Sequence, residues 1–431
     1  MKLIFTAFII LTLNVVRFGE PSESYDNLFA GIHNHYADVS GDILVYTITS
    51  KCLFMPYWVT AVAGIPSGKV FVNYGNLSSL FFSPDGTKVL KAFTPSLFQP
   101  ESDFAAIALC NTNDDSIMWS QKLEPGDTLS FMNAPLWDME KHMLILAFPK
   151  PPDLFRLCKE NRPISSEEFR QLPEKVIVYV FDLNDGKQLS RLALNLTCGE
   201  TAGYMKGHIQ CGGGKVFVLA KDNPLVENRN IWGSRWNIYG VDPITAETKC
   251  FELGYTNLGG LGGFFVTSSG DKIFFQGSAK GNPSNILELD TATGITRPLI
   301  RDEYSHKCFS LLGITPDGSK VCLEVANFSN EPTYGISSYN PAVLDVASGD
   351  IKILDVAPCE IESSEEIDNV KVKGLSYYAI SPSGRFVIGW NIDSDIWIYD
   401  VEEGMVRVFL TPPNAMLEIS IPQIPGQWNR W

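Results

Sequence analysis

Tyr377-Tyr378-Ala379-Ile380 is a short apolar run, Ser381-Pro382-Ser383-Gly384 a tight turn, and Arg385 to Trp390 a second run. After a brief gap come Asp395-Ile396-Trp397-Ile398-Tyr399-Asp400, then Val401-Glu402-Glu403-Gly404, then Met405 to Leu410. Aromatic and β-branched runs punctuated by Pro- and Gly-containing turns read as strands joined by hairpins. The stretch therefore predicts a four-stranded antiparallel meander.

The same grammar recurs upstream. The first turn returns as Ser83-Pro84-Asp85-Gly86, Gly212-Gly213-Gly214-Lys215, Ser268-Ser269-Gly270-Asp271 and Thr315-Pro316-Asp317-Gly318. Asp138-Met139-Glu140-Lys141 is a copy without Pro or Gly. Pro presets φ for the second turn position, and Gly supplies positive φ without steric cost. The second turn returns after an Asp at 182, 242, 290, 345 and 400. That spacing fits one four-stranded unit plus loops of varying length, which is the repeat of a β-propeller.

These residues resemble the extracytoplasmic propeller repeats of the TolB-like, YVTN and WD-repeat-like families. The resemblance covers most of 77–410 and implies an all-β propeller. It implies little about function, because one fold hosts many activities. A propeller hydrolase of the prolyl oligopeptidase type would carry Gly-x-Ser-x-Gly and a second domain. No such pentapeptide occurs; Gly335-Ile336-Ser337-Ser338-Tyr339 fails at its last position.

Six meanders fill 77–410. Gly41 to Thr49, Tyr57 to Ala63 and Lys69 to Gly75 read as three more strands, and Met416 to Ile421 as one. Three strands from one end and one from the other make a seventh blade and leave no open sheet edge. The alternative is six blades with an N-terminal extension. The expected domain organisation is a signal peptide over 1–20 and a single propeller over 25–431. Leu3 to Val16 is a short uncharged run behind Lys2 and ahead of the polar Gly19-Glu20-Pro21-Ser22-Glu23-Ser24. That pattern predicts export, to a secreted or periplasmic location, and the run is too short for a stable membrane span.

A chain of 431 residues with 45% hydrophobic and 19% charged residues has a large core available. Its net charge of −15, with no Lys/Arg cluster, argues against nucleic acid as a partner. Nine cysteines are scattered without a Cys-x-x-Cys pair, and Cys198 with Cys211 is the pair placed to bridge. No cofactor motif is present. Gly259-Gly260-Leu261-Gly262-Gly263 lacks the following Lys-Ser/Thr of a phosphate loop.

Both tight turns of a meander fall on one face of a propeller; the loops between second and third strands fall on the other. Those second loops are long at Thr94 to Asp103, Pro149 to Glu174, Lys221 to Arg235 and Asn327 to Asn340. They carry Phe98, Phe155, Arg156, Arg229, Trp232, Arg235, Tyr334 and Tyr339, residue types that dominate binding interfaces. The function expected from this is a secreted, monomeric, non-catalytic scaffold binding a protein, peptide or glycan on the long-loop face. The alternative is a propeller hydrolase or lyase at the channel mouth. His33 and His35 with Asp38 form a weak candidate metal set, since alternate residues of an extended strand share one side. Glu362 to Asp368 reads as a solvated acidic loop.

Overall fold

The computed structural model describes residues 42–50, 58–65, 70–73, 79–83, 87–93, 105–114, 116–124, 127–129, 136–138, 142–149, 173–197, 209–220, 223–225, 236–253, 264–279, 282–304, 307–328, 336–354, 359–363, 370–372, 377–390, 396–410 and 417–423. Apart from the single 3-10 turn Asp302–Tyr304, their regular structure is β-strand. The strands form seven antiparallel sheets among the described residues. The fold is an all-β propeller.

Sheet 1 joins Asp42–Ser50, Trp58–Ile65 and Val70–Asn73 to Leu417–Gln423. Sheet 2 is Ser79–Phe82, Lys88–Phe93, Ala106–Asn111 and Ile117–Lys122. In sheet 3, Asp127–Leu129 and Leu136–Asp138 share the innermost position against His142–Pro149. Pro173–Asp182 and Gln188–Thr197 complete it. Sheet 4 is Ile209–Gly212, Lys215–Ala220, Asn237–Val241 and Thr248–Glu252. Sheet 5 is Phe264–Val266, Lys272–Ala279, Asn282–Asp290 and Thr296–Pro298. Sheet 6 starts as Cys308–Ile314, Lys320–Phe328, Ile336–Asp345 and Ile351–Ile353. Sheet 7 is Tyr377–Ile380, Phe386–Trp390, Ile396–Asp400 and Met405–Leu410.

Sheet 6 departs from the repeat. Cys359–Ser363 pairs with Ser338 and Tyr339, and Val370–Val372 pairs with Cys359–Ser363. The acidic segment expected as a solvated loop therefore begins as the first strand of an added hairpin. The reason is local pattern: Cys359, Ile361 and Ser363 alternate with Glu360 and Glu362, which suits a half-covered strand.

Central strands of sheets 3 to 6 are apolar on both faces because each of these sheets is covered on both sides. In Pro173–Asp182, Ile177, Tyr179 and Phe181 pack with Leu90, Ile107, Leu109 and Trp119 of sheet 2. The alternate residues Val176, Val178 and Val180 pack with Ile209, Val216 and Val218 of sheet 4. Sheets 4 and 5 meet through Phe217 and Ile238 against Phe264, Ile273 and Phe275. Sheets 5 and 6 meet through Phe274 and Ile286 against Phe309 and Leu323. Sheets 6 and 7 meet through Cys322 and Val343 against Ile380, Val387 and Tyr399. Each fully buried Val, Ile or Phe contributes roughly 1.5–3 kcal/mol.

The turns explain the repeated residues. Ser83, Thr267, Thr315 and Ser381 begin the first turns and are buried. Each hydroxyl accepts the backbone N–H five residues on, at 2.9–3.1 Å. In the second turns the closing Asp accepts from backbone N–H groups two or three residues on. Examples are Asn184 to Asp182, Thr293 to Asp290 and Ser348 to Asp345, at 2.7–2.8 Å. The N–H four residues after each closing Asp donates to its carbonyl, and that residue is Gly186, Ala246, Gly294, Gly349 or Gly404. All five have positive φ.

Ala246, at φ 60, occupies the glycine position with a Cβ. Ala246→Gly is expected to raise stability by about 0.5–1 kcal/mol, because left-handed backbone costs Ala more than the added chain entropy costs Gly. A urea midpoint unchanged or lowered by the substitution refutes strain at this turn.

Three of the turn carboxylates, Asp290, Asp345 and Asp400, titrate low. The Thr293 backbone N–H lowers the Asp290 pKa, and the Ser348 backbone N–H that of Asp345. At Asp400 burial acts upward, but the Arg385 guanidinium and the turn amides outweigh it. A depressed folded pKa contributes stability above the unfolded value and loses it as pH falls through the folded one. Stability should therefore hold from neutral pH to about 5 and decline as pH falls below about 4. A loss beginning near pH 6 in thermal melts contradicts this assignment.

Candidate functional site

The long-loop face was expected to carry the site. Phe98, Phe155, Arg156, Arg229, Trp232, Arg235 and Tyr334 lie outside the described residues. Tyr339 is not on a loop. It sits within Ile336–Asp345, between Ala326 on one side and Cys359 on the other. The strands reach further than apolar runs alone indicate, because backbone pairing continues through Ser338-Tyr339-Asn340, with a register shift at Ser337.

His33, His35 and Asp38 also lie outside the described residues. The strand they precede fixes the side from which the chain enters. Asp42 pairs with Ile65, beside the short 66–69 connection, so Asp42–Ser50 starts at the tight-turn end. Among the described residues no group of three or more His, Cys, Asp or Glu is placed to hold a metal ion. Cys211 carries a free thiol, so the bridge expected with Cys198 is not made; Cys198 lies outside the described residues. Cys211 instead packs against the core between sheets 3 and 4, and burial pushes its thiol pKa well up.

A buried polar cluster stands at the long-loop end of sheet 3. Asp127 begins the innermost strand there and pairs with Pro149, the last residue of His142–Pro149. The Tyr179 hydroxyl donates to Asp127 through a short hydrogen bond. It accepts from the Glu124 N–H at 3.2 Å and from Arg191 Nε at 3.0 Å. Arg191 Nη2 donates to Asp127 Oδ2 at 2.9 Å. The Tyr179 ring stacks on Phe181, and Phe181 on Trp119, at centroid distances of 5.9 and 6.0 Å. Burial, then the Asp127 hydrogen bond, raises the Tyr179 pKa to about 12. Tyr179 thus stays a donor at neutral pH. The hydroxyl is already occupied by three partners within the protein. The cluster ties Glu124 and Asp127, at the start of the inner strand, to Tyr179 and Arg191 of the same sheet.

The opposite face is locked by a device that the sequence reading missed. Fourth-strand side chains donate to carbonyls in the second turn of the next sheet. Trp119 Nε1 reaches the Leu183 carbonyl at 2.9 Å, and Lys249 Nζ the Thr291 carbonyl at 2.6 Å. Ser190 reaches Pro243, and Lys352 reaches Val401. The signal was present: Lys249, Arg297, Lys352 and Arg407 each fall seven residues after a closing Asp. Arg297 turns instead to Glu288 of its own sheet, at 2.9 and 3.0 Å. The inner turns also touch directly. Gly213 N–H donates to the Ser268 carbonyl at 2.8 Å, and Ser268 N–H to that of Pro316 at 2.7 Å.

By sequence the chain matches no family model and no curated protein. By structure it is similar to the β-propeller domain of the Trilobed protease from Pyrococcus furiosus, with 14% identity and a TM-score of 0.51. That match covers 88% of this chain and 95% of the other. It is also similar to an acylaminoacyl peptidase from Pyrococcus horikoshii, at 13% identity and TM-score 0.52, over 86% of this chain and 51% of that one. The chain thus spans about half the length of the acylaminoacyl peptidase it matches. At these identities the likeness establishes the propeller fold. It also corrects the expectation of a non-catalytic scaffold, since both matches are peptidases or a domain of one. The low His count and missing motifs had favoured a scaffold, but the repeats encode strands and turns, and chemistry resides in groups added to them.

Proposed function

We propose that this chain is a propeller hydrolase, cleaving peptides at the long-loop mouth of a seven-bladed ring. The observation that carries this reading is the match to a protease propeller over nearly its whole length. The architecture supports it. Turn contacts lock the tight-turn face, while the clamp of Asp127, Tyr179 and Arg191 holds the opposite end of sheet 3. A lyase is the second form of the same reading. Acid–base groups then come from the long loops, and the carboxylates of the 150–172 loop, Asp153, Glu160, Glu167 and Glu168, are the first to test. The same reading places the protein outside the cytoplasm, supported by the leader-like Leu3 to Val16.

Purified full-length protein should release product from a panel of blocked chromogenic peptides. Replacing the essential carboxylate by its amide should lower kcat by about 100-fold or more. Absence of cleavage across the panel, or full activity in all four amide variants, overturns the proposal as stated.

A further inference from the structure

We propose that sheet 5 binds an extended peptide as an added strand along the outer edge of 282–285. The choice of a peptide as occupant rests on the hydrolase reading; the open edge itself does not. In sheets 5 and 6 the third strand outruns the fourth. Asn282–Asp290 meets Thr296–Pro298 at Leu287, Glu288 and Leu289. Ile336–Asp345 meets Ile351–Ile353 at Ala342, Val343 and Leu344. Both pairings end at the same place. Leu299 N–H donates to the Ile286 carbonyl at 2.8 Å, and Leu354 N–H to the Pro341 carbonyl at 2.9 Å.

Beyond that point the two sheets differ. In sheet 6 the chain returns as Cys359–Ser363, which takes the outer edge at Ser338 and Tyr339, seven and six residues before the closing Asp345. In sheet 5 the same positions before Asp290 are Pro283 and Ser284, and among the described residues no strand pairs with their outer side. The chain that could fill the slot has crossed away. Leu299 and Ile300 are buried in the core between sheets 5 and 6. Arg301 donates to the Ser348 carbonyl and, at 3.3 Å, to Asp350, both of sheet 6. Ile286 turns its carbonyl outward, and alternate residues of a strand share a side, so Ser284 directs its N–H and carbonyl outward too. Pro283 has no N–H to offer, which keeps the slot short, as in sheet 6, where two residues pair. An uncovered edge of this kind takes any extended main chain as a further strand. Sheet 6 shows the occupied form with the chain's own segment in place.

Hydrogen exchange on the full chain reads the slot without turnover. The probe is the synthetic peptide acetyl-Lys-Thr-Val-Thr-Val-Lys-amide, which favours an extended backbone and is cationic against a chain of net charge −15. With probe bound, the Ser284 amide should exchange about tenfold more slowly, while that of Tyr339, whose slot is filled, is unchanged. Ser284→Pro removes the outward donor and should weaken binding of a fluorescently labelled probe about tenfold. If that variant does not fold, exchange on the wild-type chain decides alone. Unchanged exchange at Ser284 with probe up to about 1 mM overturns the proposal. So does protection of Ser284 before any probe is added: protection that falls on dilution assigns the edge to a second copy, and protection that persists assigns it to the chain itself. Probe binding without cleavage of any peptide refutes the hydrolase reading and leaves the slot standing. Cleavage without protection at Ser284 refutes the slot alone.

Discussion

Gly213→Ala is expected to destabilise the protein by about 3 kcal/mol or more, the sum of a left-handed backbone penalty and a collision. Gly213 has φ 56, and a Cβ there would stand 2.1 Å from the Ser269 carbonyl oxygen. The obstacle is backbone of the neighbouring sheet, held by the hydrogen bond from Gly213 N–H to Ser268, so it cannot rotate aside. Gly294→Ala is the matched control. Its φ is 73, yet nothing lies within 4 Å of the added Cβ, so the cost should be about 1 kcal/mol. Urea midpoints of the two variants separate conformation from contact. Equal shifts would show that the inner turns of sheets 4 and 5 do not press on each other.

The second large effect is expected at Arg191→Met, which removes the cation from a carboxylate that is only 4% exposed. Breaking one side of a fully buried pair typically costs about 3–5 kcal/mol; the Arg191 side chain is itself 37% exposed, so solvent screening should hold the loss to about 2–4 kcal/mol. Tyr179→Phe should cost less, about 1–3 kcal/mol, since Asp127 then keeps its cation and loses one donor. The triple variant Asp127→Leu, Tyr179→Phe and Arg191→Met should recover much of the loss, as hydrophobic replacement of a whole buried ion cluster often does. Additive losses across the three sites in urea unfolding would contradict a shared cluster.

The two predictions differ in how much the sequence announced them. Gly213 lies in a glycine triplet that reads as a turn, so its positive φ was legible from Gly212-Gly213-Gly214 alone. Its contact with Ser269 was not, because the two residues belong to different sheets. Tyr179 and Arg191 read only as strand residues. Their partner Asp127 lies 52 and 64 positions away, and no local pattern links them.

By itself the sequence determined the all-β propeller. Its decisive features act over a few residues: a Ser or Thr hydroxyl capping the first turn, an Asp capping the second, and a glycine where φ must be positive. Such contacts form wherever the residues occur, so they can be read in order along the chain. Tertiary structure alone decided that Tyr339 lies inside a sheet, that Cys359–Ser363 extends that sheet, that Cys211 stays unpaired, and that Asp127 is clamped by Tyr179 and Arg191. Each depends on which strand lies beside which after the ring has formed. That neighbour relation is set by packing of both sheet faces and by backbone pairing between distant segments, and it leaves no fixed spacing in the sequence.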